Sequence, residues 1–184
     1  MLHKVRRIIT ANDAKGRAYI HSDDVSPHEV PTAPNRGLIN LWAMESFPPD
    51  MTDTDGAAKA KTLSPPEGGM IFRYFQLPPR SQTGGNAGAA EAEAAKAFEL
   101  MGDAAARVDT TKYPNMHRTI SIDYIILLKG RVKLILDEDE TVLEPFDVVI
   151  QRETNHAWEN LSDEPALLVA VLTDTHGAKG GLEP

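Results

Sequence analysis

Two ionisable side chains interrupt a segment that otherwise resembles a buried β-strand. His117 and Asp123 lie in PNMHRTISIDYIILLKG, residues 114–130, which continues into the apolar run YIILL. Side chains alternate along a strand, so one face carries a polar row: His117, Thr119, Ser121 and Asp123. The other row we interpret as the apolar packing face: Arg118, Ile120, Ile122, Tyr124 and Ile126. A polar row inside a barrel costs free energy unless a metal or ligand satisfies it.

A second segment supplies a partner for this row. In QRETNHAWENL, residues 151–161, His156 and Trp158 share one face by the same alternation. Two imidazoles and a carboxylate suit a divalent ion and leave coordination positions open. The predicted metal ligands are His117, Asp123 and His156. The predicted substrate pocket adds Thr119, Ser121 and Trp158. If the metal is absent, Asp123 or His117 could act as a catalytic base.

The same residues also have purely structural interpretations, which the sequence leaves open. Each histidine could be a buried, hydrogen-bonded side chain that binds no metal. Asp123 could pair with Arg118, Arg131 or a backbone donor, although alternation puts Arg118 on the opposite face. Trp158 could pack in the core.

Short strands must position these residues. After residue 116 the candidate strands are YIILL, RVKLIL, TVL, DVVIQ, HAWENL and ALLVAVLT, with turns at 129–130 and 137–140. Close spacing of short strands predicts an antiparallel sandwich or small barrel. MIFRYFQL predicts a further strand, but its alternation does not tell which face looks inward. We expect an N-terminal strand arm over 1–47 (VRRIIT, RAYIH, GLINLWAM), a loop over 48–69 and a barrel over 70–184.

An alanine-rich segment predicts a helical insertion in the barrel at about 88–108. Its apolar side chains fall on one face at helical spacing: Ala94, Phe98, Met101, Ala105 and Val108. This stripe fits a surface helix packed on the barrel, and it also fits a lid over the mouth of a cavity.

Composition and charge exclude several classes of protein. The 184 residues carry a net charge of −8, which argues against nucleic acid and anionic membranes as partners. The chain has no cysteine, so it forms neither disulfides nor thiolate metal sites. The N-terminus has no apolar run typical of a signal peptide, and no segment approaches the length of a membrane span. We therefore expect a cytoplasmic, soluble protein.

The two segments together resemble the motifs of cupins. The first cupin motif contains His-x-His, then a Glu, and closes on a glycine. Here the corresponding residues are His117, Thr119, Asp123 and Gly130. The spacing from His156 to Asn160 matches the second motif. The stretch LEPFDVVIQRETNHAWEN also resembles a sequence common in small single-barrel cupins, but this chain has Phe146 and Glu153 where those cupins have glycines. The resemblance covers about residues 114–174.

The resemblance implies an all-β fold, a single cupin-type antiparallel β-barrel or jelly roll. It also implies a divalent metal ion (Zn, Fe, Mn or Ni), although Thr119 replaces one usual ligand. Cupins support many reactions. We expect a metal-dependent enzyme that acts on a small organic acid or polyketide-like substrate, with lyase chemistry (decarboxylation or dehydration) favoured. The alternatives are a non-catalytic barrel that binds a small ligand and an iron-dependent dioxygenase. Because cupins often exchange strands, we expect a homodimer formed through the β-arms.

Overall fold

The computed structural model describes residues 1–46, 48–49, 55–83 and 87–175. The strands in these residues are β1 Arg6–Asn12, β2 Ala18–Val25, β3 Glu29–Ala33, β4 Arg36–Met44, β5 Met70–Leu77, β6 Ser121–Lys129, β7 Val132–Leu136, β8 Glu140–Leu143, β9 Val148–Arg152, β10 His156–Asn160 and β11 Ala166–Asp174. Helix α1 spans Ala87–Leu100, and short 3₁₀ turns lie at Gly56–Ala58, Arg80–Gln82 and Ala104–Ala106. No helix in this part of the chain is long and apolar enough to cross a membrane.

The strands form antiparallel sheets, which confirms the predicted all-β architecture. Within the described ranges, a larger sheet has the order β3-β4-β5-β11-β6-β9 and a smaller one the order β10-β7-β8. The main core lies between these two sheets and consists of Ile125, Leu127, Val132, Leu134, Leu143, Trp158, Ala166, Leu168, Ala170 and Leu172. The last strand, β11, pairs with both β5 and β6 and so joins the N-terminal and C-terminal strands of the larger sheet.

The N-terminal arm is shorter than the sequence predicted. Within the residues that the structure describes, β1 and β2 form a separate hairpin, whereas β4 pairs with β5 and belongs to the larger sheet. The apolar strand β4 supplies buried residues such as Ile39 to the barrel, and strand composition alone did not reveal this. The predicted limits at residues 47 and 184 lie outside the described residues.

The predicted packing face of β6 is wrong. Tyr124 is 49% exposed and Ile126 is 37% exposed, whereas Asp123, Ile125 and Leu127 are buried. The row that begins with polar residues therefore faces the smaller sheet. Its apolar members, Ile125 and Leu127, join the core, and Asp123 lines a cavity beside that core.

Helix α1 packs over one side of the barrel. Ala94, Phe98 and Met101 are buried as predicted, but Ala105 is exposed and Ala106 is buried instead. The helix ends at Leu100, and the 3₁₀ turn that follows changes the angular spacing, so the helical stripe does not continue to residue 105. Because Phe98 and Met101 line the cavity, the helix forms part of the cavity wall.

Two positions where the resemblance expects glycine keep a glycine-like backbone. Phe146 has φ of 78° and Glu153 has φ of 49°, the left-handed region that glycine enters most easily. Both residues flank β9 in tight turns, where the Phe146 N–H donates to the Leu127 carbonyl at 2.7 Å and the Glu153 N–H donates to the Ser121 carbonyl at 3.2 Å. The turns are therefore retained although the glycines are not.

Candidate functional site

A backbone bridge brings two histidines side by side. The His117 N–H donates to the His156 carbonyl at 2.9 Å, and the His156 N–H donates to the His117 carbonyl at 2.9 Å. Residues paired in this way on antiparallel chains point to the same face. The two imidazole ring centroids are 4.1 Å apart and the ring planes are inclined by 48°. The bridge lies ahead of β6, where the sequence had predicted a continuous strand.

The hydrogen bonds of the histidines determine which ring nitrogens are free. The Nδ1 atom of His117 lies 2.9 Å from the Asn115 carbonyl, and that of His156 lies 2.9 Å from the Thr154 carbonyl. A carbonyl oxygen only accepts, so each Nδ1 carries the proton and each Nε2 of a neutral ring is an acceptor. Burial lowers the pKa of His117 to about 4. Burial and the adjacent His117 lower the pKa of His156 well below 6.5, so both rings are neutral near pH 7.

Asp123 is held by a short chain of hydroxyl groups. Its side chain is buried, and the Ser121 hydroxyl donates to its Oδ1 at 2.5 Å. The hydroxyls of Ser121 and Thr119 are 2.8 Å apart. Since Ser121 has one hydroxyl proton, Thr119 donates to Ser121 when Ser121 donates to the carboxylate. Burial raises the pKa of Asp123 to about 6, against the lowering effects of Ser121, Arg73 and Thr119.

The register of β11 places Arg73 on the same face as Asp123. Arg73 pairs with Ala170, and Asp123 pairs with Leu172 on the other edge of β11. Because Ala170 and Leu172 are two residues apart, all four side chains point to the interior. The guanidinium is 1% exposed and donates to the Leu63 carbonyl at 2.9 Å and to the Thr62 carbonyl at 3.0 Å. Its Nε has no hydrogen-bond partner in the described residues.

These groups surround an interior cavity of about 100 Å³. Its polar lining consists of Thr32, Arg36, Arg73, Gln76, Asn115, His117, Thr119, Asp123 and His156. Its apolar lining includes Leu38, Leu63, Phe75, Phe98, Met101, Ile125, Trp158 and Leu172. A second cavity of about 130 Å³ shares Arg36, Leu77, Asn115 and Trp158 with the first. The interior can therefore enclose a small molecule that has a few polar groups on a mostly apolar body.

The predicted site residues are largely brought together. His117, Thr119, Asp123, His156 and Trp158 all line the cavity. Ser121 is not among the lining residues; its side chain is fully buried and forms hydrogen bonds with Thr119 and Asp123. The role of Ser121 is to support the carboxyl group that reaches the cavity.

The divalent ion that the resemblance implies needs several side-chain ligands close together. Among the residues that the structure describes, no three His, Asp or Glu side chains gather closely enough to hold a metal ion. The two histidines meet, but Asp123 is tied to Ser121, and Thr119 stands where the resemblance expects a ligand. The side chains of the described residues do not complete a three-ligand site. The ion remains a prediction.

Sequence reasoning missed the two cavity arginines. Arg36 begins β4 and Arg73 lies in β5, both outside the segments that carry the recognisable motifs. The available signal was a charged residue within the aromatic strand MIFRYFQL. Alternation separated Arg73 from Tyr74 but did not tell which of the two faces the interior.

Comparison with known proteins identifies the family. The Cupin_2 profile, described as a cupin domain, matches residues 108–172. A cupin-domain-containing oxidoreductase of Neurospora crassa is 40% identical over 174 residues, which cover 91% of this chain and 72% of the relative. Phomopsin biosynthesis cluster protein D of Diaporthe leptostromiformis is 29% identical over 170 residues, covering 88% and 73% of the two chains. A Cupin 2 conserved barrel domain protein from Salinispora arenicola CNS-205 has a TM-score of 0.41 and 14% identity, covering 80% and 83%.

The predicted resemblance is thereby confirmed by a relative that matches nearly the whole chain. The barrel with its buried histidine pair is the cupin-type architecture that the motifs around His117 and His156 had predicted. The chain belongs to the cupin family.

Proposed function

We propose that this protein is an enzyme that transfers a proton on a small organic acid or polyketide-like substrate, in a lyase-type reaction. The observation that carries the proposal is the position of Asp123, a buried carboxyl group that lines a small cavity together with two neutral imidazoles. A catalytic base works best when its pKa lies near the working pH, and the pKa of Asp123 is raised to about 6. Perturbed carboxyl groups in clefts favour a functional over a structural role.

Dehydration illustrates how one carboxyl group can suffice. Ionised Asp123 takes the proton from the carbon next to a substrate carbonyl, and the electron pair moves into the new carbon–carbon double bond. The bond from the β-carbon to its hydroxyl oxygen breaks, and Asp123 returns the proton so that water leaves. The step consumes no oxidant or reductant. In decarboxylation of a β-keto acid the bond to the carboxylate carbon breaks instead, carbon dioxide leaves, and the resulting enolate takes a proton at carbon from protonated Asp123.

The histidines and the apolar wall have separate roles in this proposal. The bare Nε2 atoms of His117 and His156 accept hydrogen bonds from substrate hydroxyl groups and so orient the leaving group. Phe98, Met101 and Trp158 cover the cavity and limit its water content. Exclusion of water strengthens every electrostatic interaction of the carboxylate with the substrate.

A second candidate function is oxidation, favoured by the name of the Neurospora crassa relative, a cupin-domain-containing oxidoreductase. An oxygenase would also begin with a substrate anion but would then consume molecular oxygen. The two functions therefore share the proton-transfer step and differ in oxygen uptake. A barrel that only binds ligand would do neither.

The experiment follows proton transfer without requiring the natural substrate. Acetoacetate and 3-hydroxybutyrate are incubated with the protein in D₂O, and proton NMR follows exchange at the α-carbon, acetone formation and crotonate formation. We expect protein-dependent exchange that Asp123→Asn abolishes. An oxygen electrode and elemental analysis of the same preparation test the second candidate. Exchange equal in the wild type and in Asp123→Asn would contradict the proposal, and oxygen uptake with bound iron would favour the oxidoreductase.

A further inference from the structure

Two arginines line the cavity without a carboxylate partner. In the described part of the chain, neither Arg36 nor Arg73 has an Asp or Glu oxygen within 4.0 Å, whereas Arg6, Arg7, Arg17, Arg107 and Arg131 each have one. A buried charge normally has an ion-pair partner, because taking a charge out of water is costly. Within the same described residues, exposed Arg80, Arg118 and Arg152 have no such pair either, but water solvates them, whereas Arg36 is half-buried and Arg73 is 1% exposed, so the cost is greatest for these two.

The charges of the cavity wall sum to a positive value near neutral pH. Arg36 and Arg73 are cations, Asp123 is the carboxylate among the lining residues, and His117 and His156 are neutral. This excess contrasts with the net charge of −8 for the whole chain. A cleft with low-dielectric walls focuses such a charge and attracts an ion of the opposite sign.

Of the two arginines, Arg36 is placed to contact a ligand. It is one of the residues that line both cavities, and its Nη2 donates a hydrogen bond to the Asn115 Oδ1 at 2.6 Å. A guanidinium has five N–H donors in a planar fork, so donors remain for a ligand. Arg73 is instead enclosed, with two donors fixed on the carbonyls of Thr62 and Leu63.

The groups opposite Arg36 favour an anion that approaches from the first cavity. Glu93 and Glu159 line the second cavity, where a ligand carboxylate would meet like charges. The first cavity presents neutral imidazoles, the hydroxyl of Thr119 and apolar side chains. Asp123 also lines the first cavity and repels an anion, but its charge interacts with that of Arg73.

We propose that Arg36 binds the carboxylate of a small monoanionic organic acid, with Asn115 fixing the orientation of the guanidinium and Arg73 keeping the rest of the cavity positive. This inference rests on the proposed function, since it names the residue that selects the substrate class for that site. The bound carboxylate supplies the charge that the arginines lack. Neutral esters and amides of the same shape leave it unmatched, and a site built for a polar partner discriminates strongly against analogues that lack it.

The test compares butyrate with butyramide, which have nearly the same shape and differ in charge. A Trp42→Phe background leaves Trp158, which lines the cavity, as the fluorescent reporter of binding. Calorimetry on the unmodified chain checks the affinities. We expect butyrate to bind the wild type at least tenfold more tightly than butyramide does.

Three variants separate recognition by Arg36 from general effects. Arg36→Gln should lose at least tenfold in butyrate affinity and leave butyramide unchanged. Arg36→Lys, which keeps the charge but loses the planar fork, should recover part of that loss. Arg118→Gln removes the same charge from an exposed position outside the cavity and should change neither affinity. Circular dichroism confirms folding, and Arg36→Lys serves as the test if Arg36→Gln does not fold.

The results separate this inference from the proposed function. Equal binding of butyrate and butyramide, no binding of either, or equal losses in Arg36→Gln and Arg118→Gln would overturn the role of Arg36. Selective butyrate binding lost in Arg36→Gln supports it even if no acid undergoes exchange in D₂O, in which case only the proposed function fails.

Discussion

Replacement of Asp123 by asparagine should stabilise the folded protein at pH 8 while removing proton transfer. The folded-state pKa of Asp123 is raised from its ordinary value of 3.8 to about 6, chiefly by burial. Above pH 6 the folded protein therefore holds a carboxylate that would be better solvated in the unfolded chain. Asparagine keeps the shape and the hydrogen bond from Ser121 and removes the charge.

The magnitude follows from the pKa. Each pH unit by which the folded-state pKa exceeds the ordinary value corresponds to about 1.4 kcal/mol, so ionised Asp123 costs about 3 kcal/mol above pH 6. The new amide N–H groups find Thr119 but leave one donor without a clear partner, which costs about 1–2 kcal/mol. We expect a net gain of about 1–2 kcal/mol in the free energy of unfolding at pH 8.

The pH dependence gives the prediction its sign. Below pH 3.8 the carboxyl is protonated in both states and contributes no ionisation cost. Between pH 3.8 and about 6 the unfolded chain loses its proton first, so the wild type loses stability relative to Asp123→Asn as the pH rises. Above that window the difference between the two proteins is constant.

Urea unfolding at pH 5 and pH 8, followed by tryptophan fluorescence, measures the difference. Asp139→Asn is the matched control, since it removes an exposed carboxylate in the turn between β7 and β8 and should change stability little. If Asp123→Asn lowered the free energy of unfolding at pH 8 by more than about 1 kcal/mol, the reasoning would be refuted. Asp123 would then be an ionised structural partner of Arg73, and the buried charge would not be retained for chemistry.

Three further predictions concern neighbouring groups. Ser121→Ala removes a hydrogen bond that lowers the pKa of Asp123, so this pKa should rise. The acidic limb of the pH–rate profile for α-carbon exchange in D₂O should then move to higher pH. A limb at the same pH in both proteins would contradict Asp123 as the base. The pKa of His156 is held well below 6.5, so the unfolded chain binds a proton first as the pH drops below 6.5. The free energy of unfolding should then fall by up to about 1.4 kcal/mol per pH unit. In urea titrations the free energy of unfolding of His156→Gln should fall less steeply with pH, and an equal fall in both proteins would exclude this histidine as the cause. Tyr19 and Ile20 are 47% and 61% exposed on the N-terminal hairpin, so we expect a homodimer formed through this arm. Substitution of both residues by lysine should convert the dimer to a monomer, measured by light scattering after size exclusion. A monomeric wild type would refute the arm interface.

Local pattern was enough to predict the strands but not their partners. Six strands from β6 to β11 were predicted because alternation and turn residues are properties of adjacent positions. The segment GLINLWAM was also recognised as a strand, yet it was assigned to the arm. Its place beside β5 depends on long-range pairing and on a register shift between Asn40 and Trp42, and neither leaves a local signature.

The same distinction explains which part of the site was predictable. His117 and Asp123 share a face through simple alternation, and the spacing of His156 followed the second motif. The direction of that face was not predictable, and the exposed row of Tyr124 and Ile126 shows that an apolar row need not be the inner one. When either face of a strand could point to the interior, the size of the residue paired with it on the neighbouring strand influences whether a long charged side chain fits there.

Ala170 is that residue for the cavity. It pairs with Arg73 on one edge of β11 and with Ile125 on the other, and it is 2% exposed. The side chain at this position is a single methyl group, and the charges of Arg73 and Asp123, which lie on the two strands that flank β11, interact with each other. The last strand added to the sheet thus determines whether the arginine and the carboxyl group share one cavity. For this reason the chemical character of the site depends on residues 166–174 as much as on the motifs that made the family recognisable.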